Sequence, residues 1–101
     1  MSRYNYFNNL TVDGYAFPTT PQVNFNFNSN GFTFLTKGTV ASNTIEYSFD
    51  GYNTHGDLVP GSAAAGVTFD MRHESKVWFR RIGGPSVTVR IEAWGDWGRT
   101  S

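Results

Sequence analysis

Residues 86–93 read Ser86-Val87-Thr88-Val89-Arg90-Ile91-Glu92-Ala93, and this stretch decides the fold class. Apolar residues occupy every second position, and hydroxyl or charged residues occupy the positions between them. Strict alternation of this kind is typical of a β-strand that has one face on a core and the other in water. The segment therefore predicts a half-buried strand whose inward residues are Val87, Val89, Ile91 and Ala93.

The same period of two recurs along most of the chain after residue 22. It is clear in 44–50, and shorter strand candidates cover 57–59, 66–70 and 75–81, each bounded by Gly, Pro or Asn. Between Val23 and Leu35, the segment Asn28-Ser29-Asn30-Gly31 interrupts two alternating runs, which predicts a hairpin. The inward positions predicted for the core include Ile45, Tyr47, Phe49, Phe69, Val77, Phe79, Val89 and Ile91.

No window of 11 residues has the spacing of an amphipathic helix. Six or seven short strands separated by Gly and Asn turns predict an all-β fold, with a single antiparallel β-sandwich or jelly-roll-like domain. The domain is predicted over 22–95, with an extended N-terminal arm over 1–21 and a C-terminal tail over 96–101. Pro18 and Pro21 stiffen the join, and 4–9 mixes aromatic residues with amides. Two interpretations of the N-terminal part stay open: an edge strand at 3–7, or an arm that orders on a neighbouring subunit.

Composition excludes several classes of protein. The 101 residues allow one domain, and 8 Lys and Arg balance 8 Asp and Glu, so we expect no specific nucleic-acid partner. A local basic run is expected to be a solvated strand face; its members are Arg72, His73, Lys76, Arg80 and Arg81. The absence of Cys excludes disulfides and thiolate chemistry. The sequence has no apolar stretch of the kind that would predict a signal peptide or a membrane span. We therefore expect synthesis in the cytoplasm and no membrane partner.

The two histidines are the candidates for a general base. His55 and His73 have Asp57 and Glu74 nearby in sequence, but no nucleophile stands at a recognised spacing from either. We therefore predict a non-enzymatic protein without catalytic residues. A cluster of oxygen- and nitrogen-bearing side chains lacks the spacing of a calcium loop and is better explained by Asx turns, so no metal and no cofactor are expected; its members are Asp50, Asn53, His55 and Asp57.

Outward aromatic residues are the more informative signal. Trp78 and Trp94 fall on the opposite parity to the core positions of their strands, and Trp97 lies in the tail. Three interpretations stay open: a protein interface, a stacking platform for sugar rings, or rings covered by the rest of the fold. The predicted partner-binding residues are Tyr4, Tyr6, Phe7, Trp78, Trp94 and Trp97.

Five segments between residues 31 and 95 carry a resemblance to a known group of proteins. They are 45–51 (IEYSFDG), 55–61 (HGDLVPG), 69–72 (FDMR), 76–80 (KVWFR) and 87–94 (VTVRIEAW). In these segments the chain resembles small β-sandwich virion structural proteins of tailed bacteriophages, which are head decoration proteins or are associated with the tail and neck. The resemblance implies a compact domain used in many copies in a symmetric particle.

From this resemblance we expect a non-enzymatic structural component of a phage virion. The favoured role is a head auxiliary, or capsid decoration, protein that forms a homo-oligomer and reinforces major capsid protein subunits. A tail or neck component is the alternative within the same class. A carbohydrate-binding β-sandwich module that uses the tryptophans is the alternative from a different class.

Overall fold

The computed structural model describes residues 3–36, 44–59, 65–83 and 86–96. Eight β-strands and no helix occur in these ranges. The strands are β1 (Arg3–Val12), β2 (Val23–Asn24), β3 (Gly31–Thr36), β4 (Ile45–Ser48), β5 (Gly56–Leu58), β6 (Gly66–Asp70), β7 (Lys76–Arg81) and β8 (Val87–Asp96). The first sheet has the order β1-β8-β3-β6 and the second has the order β2-β7-β4-β5. The predicted all-β sandwich is confirmed.

The strand pairing follows a simple rule along the chain. The antiparallel pairs are β1 with β8, β2 with β7, β3 with β6, and β4 with β5, so the first half of the chain runs back along the second half. This long double strand rolls up so that β8 also pairs with β3 and β7 also pairs with β4. The result is two four-stranded sheets. This is the jelly-roll arrangement of eight strands.

The core lies between the sheets and follows the predicted parity. Phe32 is fully buried, and its ring centroid lies 4.8 to 5.8 Å from those of Phe25, Phe34, Phe49 and Phe69. The predicted core residues are buried, except that Phe49 and Phe69 are partly buried and pack against the others. The buried apolar residues are Val12, Val23, Phe25, Phe32, Phe34, Ile45, Tyr47, Leu58, Val77, Phe79, Val87, Val89, Ile91 and Ala93.

The N-terminal segment differs from the predicted arm. Residues Arg3–Val12 pair with β8 over ten consecutive positions, and Val12 is only 1% exposed. The boundary predicted between residues 21 and 22 is therefore not a boundary of the fold, and the edge-strand interpretation describes this segment better. The physical reason is that β1 contributes apolar side chains to the interior: Val12 is buried in the core, and Tyr6 and Leu10 pack against it.

The hairpin predicted across 28–31 is wrong. β2 belongs to the second sheet and β3 to the first, so the chain crosses between sheets here. The positive φ in this segment belongs to Asn26 (66°), whose N–H donates to Asn24 Oδ1, and not to the Asn-Gly pair. Ser29 is buried instead, where its hydroxyl donates to the carbonyl of Arg72 and accepts from the N–H of Glu74.

The chain also crosses between the sheets after β7, because β7 and β8 lie in different sheets. The segment 13–22 makes the corresponding crossing between β1 and β2 and runs beside β7. The amide of Gln22 bonds both backbone groups of Phe79, at 2.7 and 3.0 Å, and so extends the short β2 ladder.

Candidate functional site

The two described tryptophans lie on opposite sides of the molecule. Trp78 is on β7 in the second sheet, and Trp94 is on β8 in the first. Both side chains are half-buried and point away from the core, as parity predicted. They cannot form one stacking platform, because the whole sandwich separates them. Trp97 lies outside the described residues.

Trp94 covers a glycine on the neighbouring strand. Gly31 is its cross-strand partner, and a Cβ added there would lie 2.6 Å from Cζ2 of the indole. The ring therefore fills the space that a side chain at position 31 would occupy. This packing of an aromatic ring on a strand glycine supports the register of β3 and β8, and it favours the interpretation in which the fold covers Trp94.

Trp78 forms the floor of a surface cleft of about 200 Å³, called here the Trp78 cleft. The loop after β4 passes close to the indole because Gly51 has a positive φ of 83° and no Cβ; an added Cβ would lie 3.0 Å from Cε2. Tyr52 in this loop is 88% exposed. The cleft is lined by Phe17, Pro18, Thr19, Asp50, Gly51, Tyr52 and Trp78.

Asp50 places a carboxylate on the wall of the Trp78 cleft. Its Oδ1 accepts from the N–H groups of Asn53 and Tyr52 at 2.8 Å, and its Oδ2 accepts from the Asn53 amide. These bonds, first of all the one from the Asn53 backbone, hold the pKa of Asp50 well below its usual range. The predicted Asx turn is confirmed, and the cleft carries an ionised, fixed acceptor.

A cation flanks the same cleft. The Arg80 guanidinium lies 4.4 Å from the ring centroid of Phe17 and forms an ion pair of 2.7 Å with Glu46. Two further arginines of the predicted basic run are also paired, Arg72 with Glu74 and Arg81 with Asp13. Each of the three arginines of this run thus lies beside a carboxylate that offsets its charge.

The histidines make structural contacts. His55 Nδ1 accepts from the N–H of Phe49, and its ring packs 5.0 Å from that phenyl ring. His73 Nδ1 lies 2.7 Å from the carbonyl oxygen of Ser29. Among the described residues, no three His, Asp or Glu side chains are placed to hold a metal ion. The described part of the chain also has no helix that could span a membrane.

The predicted N-terminal contact residues face in different directions. Tyr6 is half-buried, with its ring 5.2 Å from that of Phe25 and its hydroxyl accepting from the amide of Asn8. Phe7 points outward and is 62% exposed. The side chain of Tyr4 lies outside the described part of the structure. Of the two side chains described here, Tyr6 and Phe7, the exposed one is therefore Phe7.

The free edges of the two sheets differ sharply in length. β2, β5 and β6 have two, three and five residues, whereas β1 has ten. β1 pairs with β8 without a bulge, and 4–12 contains no charged residue and no proline. Short strands, charges, prolines and bulges are the usual means of blocking an edge. β1 has none of them along 4–12.

Sequence reasoning left an edge strand open at 3–7 but did not extend it to Val12, because Asn8 interrupts the apolar alternation of Tyr6, Leu10 and Val12. It found Trp78 by parity but not the rest of the Trp78 cleft, which comes from segments distant in sequence. Comparison of the chain with family models, curated proteins and solved structures finds no match in any of the three.

Proposed function

We propose that this protein is a non-enzymatic structural component of a phage particle. Its role in this proposal is that of a head auxiliary protein, which binds and reinforces major capsid subunits after synthesis in the host cytoplasm. Two lines support the proposal: the resemblance of 31–95 to small virion proteins, and a jelly-roll fold, an architecture found among viral capsid domains as well as lectins. Since a fold alone does not define a function, the proposal rests on the surface of the molecule.

The observation that carries the proposal is the free edge of β1. No strand among the described residues pairs with the outer side of the ten-residue β1, so this side offers a row of backbone donors and acceptors to another chain. The exposed ring of Phe7 at its middle adds apolar contact area. In a particle with many copies, even a weak contact of this kind is multiplied by avidity. The edge is therefore suited to assembly.

A mass-spectrometric inventory of purified phage particles tests this proposal. We expect the chain to be present in many copies per particle, and to remain with heads when heads and tails are separated. Recovery with tails or necks would instead favour the alternative virion location. Absence of the chain from washed particles that retain their known structural proteins would contradict the proposal.

Carbohydrate binding is the second candidate, and the Trp78 cleft is the observation that favours it. An aromatic floor beside an ionised carboxylate can stack on a sugar ring and accept hydrogen bonds from its hydroxyls. The test uses a protein with Trp94→Phe and Trp97→Phe, in which Trp78 is the sole source of indole fluorescence. Under the structural proposal we expect no shift with any polysaccharide of a broad panel.

A saturable shift that Tyr52→Ala abolishes would favour the carbohydrate-binding function instead. Val59→Ala is the matched control, because Val59 is exposed but does not line the cleft.

A further inference from the structure

The backbone of β1 directs a regular set of groups away from its own sheet. The N–H of Asn30 donates to the carbonyl of Trp94 at 2.7 Å, so the backbone of Trp94 points toward β3. For two residues opposite each other in an antiparallel pair, the backbone N–H and C=O groups of both residues point toward the partner strand, or those of both point away from it. Asn5, the β1 partner of Trp94, therefore points to the free edge. Every second residue does the same, which gives Asn5, Phe7, Asn9 and Thr11.

The side chains along this edge are compatible with a second copy of the same strand. Since 4–12 is uncharged, two such strands can lie side by side without the repulsion of like charges. Tyr6 and Leu10 point inward but are only half-buried, because nothing in the described part of the molecule covers them on the edge side. A neighbouring strand would cover them further. The backbone groups, the lack of charge and the apolar side chains of this edge therefore all allow it to pair with the same edge of a second copy.

We propose that two copies of this chain pair antiparallel through β1, with the two-fold axis at Phe7, so that the two first sheets form one continuous eight-stranded sheet. This inference deepens the proposed function by naming the first partner of the assembly edge. The backbone N–H and C=O groups of every second residue face the free edge, so such residues of one copy must lie opposite such residues of the other. The two-fold axis must therefore pass through a residue and not between two residues. Phe7 satisfies this condition and is the largest exposed side chain among the described side chains of β1, residues 5–12.

The register centred on Phe7 fixes the other contacts. Phe7 lies beside its own copy, and Asn5 lies opposite Asn9 of the second copy. Aromatic pairs and amide ladders are both favourable cross-strand neighbours. About six inter-chain hydrogen bonds follow from the antiparallel pattern, at two for the Phe7 pair and two for each of the two Asn5–Asn9 pairs. An interface of one strand pair is small, so we expect a dissociation constant in roughly the micromolar range.

Analytical ultracentrifugation of the full chain tests the pairing. We expect a concentration-dependent dimer that Phe7→Lys and Phe7→Glu each weaken by about tenfold or more, since each places like charges directly opposite one another at the axis. An equimolar mixture of the two variants should associate again, because Lys then faces Glu. Thr68→Lys, on the exposed face of β6 at the other edge of the same sheet, is the matched control and should dimerise normally.

Two results would overturn the inference: a wild-type protein that stays monomeric up to about millimolar concentration, or a dimer that neither Phe7 variant weakens. Weakening by both variants without recovery in the mixture would overturn the Phe7 register. Circular dichroism on each variant separates loss of pairing from loss of fold. A dimer absent from particles would contradict only the virion role, and a monomer present in particles would contradict only this pairing.

Discussion

Truncating Val12 measures whether β1 belongs to the cooperative core. Val12 is 1% exposed and pairs with the buried Val87, so Val12→Ala removes two methyl groups from the interior. At about 0.8 kcal/mol for each group, plus a cavity term of about 1 kcal/mol, the loss is about 2 to 3 kcal/mol of unfolding free energy. Thr11→Ala is the matched control. Thr11 is exposed, and its hydroxyl makes one contact of 3.1 Å with Thr88, so we expect a loss below about 0.5 kcal/mol.

Urea unfolding followed by circular dichroism gives both values. With a slope of about 1 to 1.5 kcal/mol per molar, Val12→Ala should lower the midpoint by about 1.3 to 3 M, or unfold a marginal domain outright, while Thr11→Ala should leave it nearly unchanged. Equal midpoints for the two variants would refute the integration of β1. The segment would then be an arm outside the fold, as 1–21 is in the sequence-based prediction.

Urea unfolding of five further variants tests three other features of the structure. Gly31→Ala should lower the unfolding free energy by about 1 to 3 kcal/mol, because the new Cβ meets the ring above it; Gly14→Ala, whose nearest neighbour would be 3.7 Å away, should not. The lowered pKa of Asp50 stabilises the fold above its ordinary value of 3.8, so stability should fall as the pH drops below that value, and Asp50→Asn should reduce this dependence. Ile91→Ala should cost about 2 to 4 kcal/mol, and the outward Thr88→Ala far less; a reversed order would mean that the parity of β8 is wrong.

The sequence predicted the strands whose own side chains alternate. β8, β7 and β4 were found with their inward residues, because each has one buried face and therefore a period of two. The bounds Gly66–Asp70 of β6 agree fully. The opposite parity of Trp78 and Trp94 also follows from this period.

Features that depend on pairing between segments far apart in the sequence could not be predicted from local sequence patterns. An Asn-Gly pair favours a hairpin, but Gly31 instead pairs with Trp94, more than sixty residues away, since the jelly roll joins the two halves of the chain. The arm hypothesis failed to include β1 in the sheet for the same reason. Asn8 interrupts the pattern of β1, and the partner that orders this strand, β8, comes from the other end of the chain. The Trp78 cleft likewise combines three separate segments.

Amide hydrogen exchange along β1, resolved by residue with NMR at increasing protein concentration, tests the assembly edge most directly. We expect Tyr6, Asn8 and Leu10 to be protected at every concentration, because their N–H groups bond to β8. We expect Phe7 and Asn9 to exchange fast in dilute solution and to become protected as the copies pair. Uniformly fast exchange along β1, or fast exchange at Phe7 and Asn9 at all concentrations, would contradict these expectations.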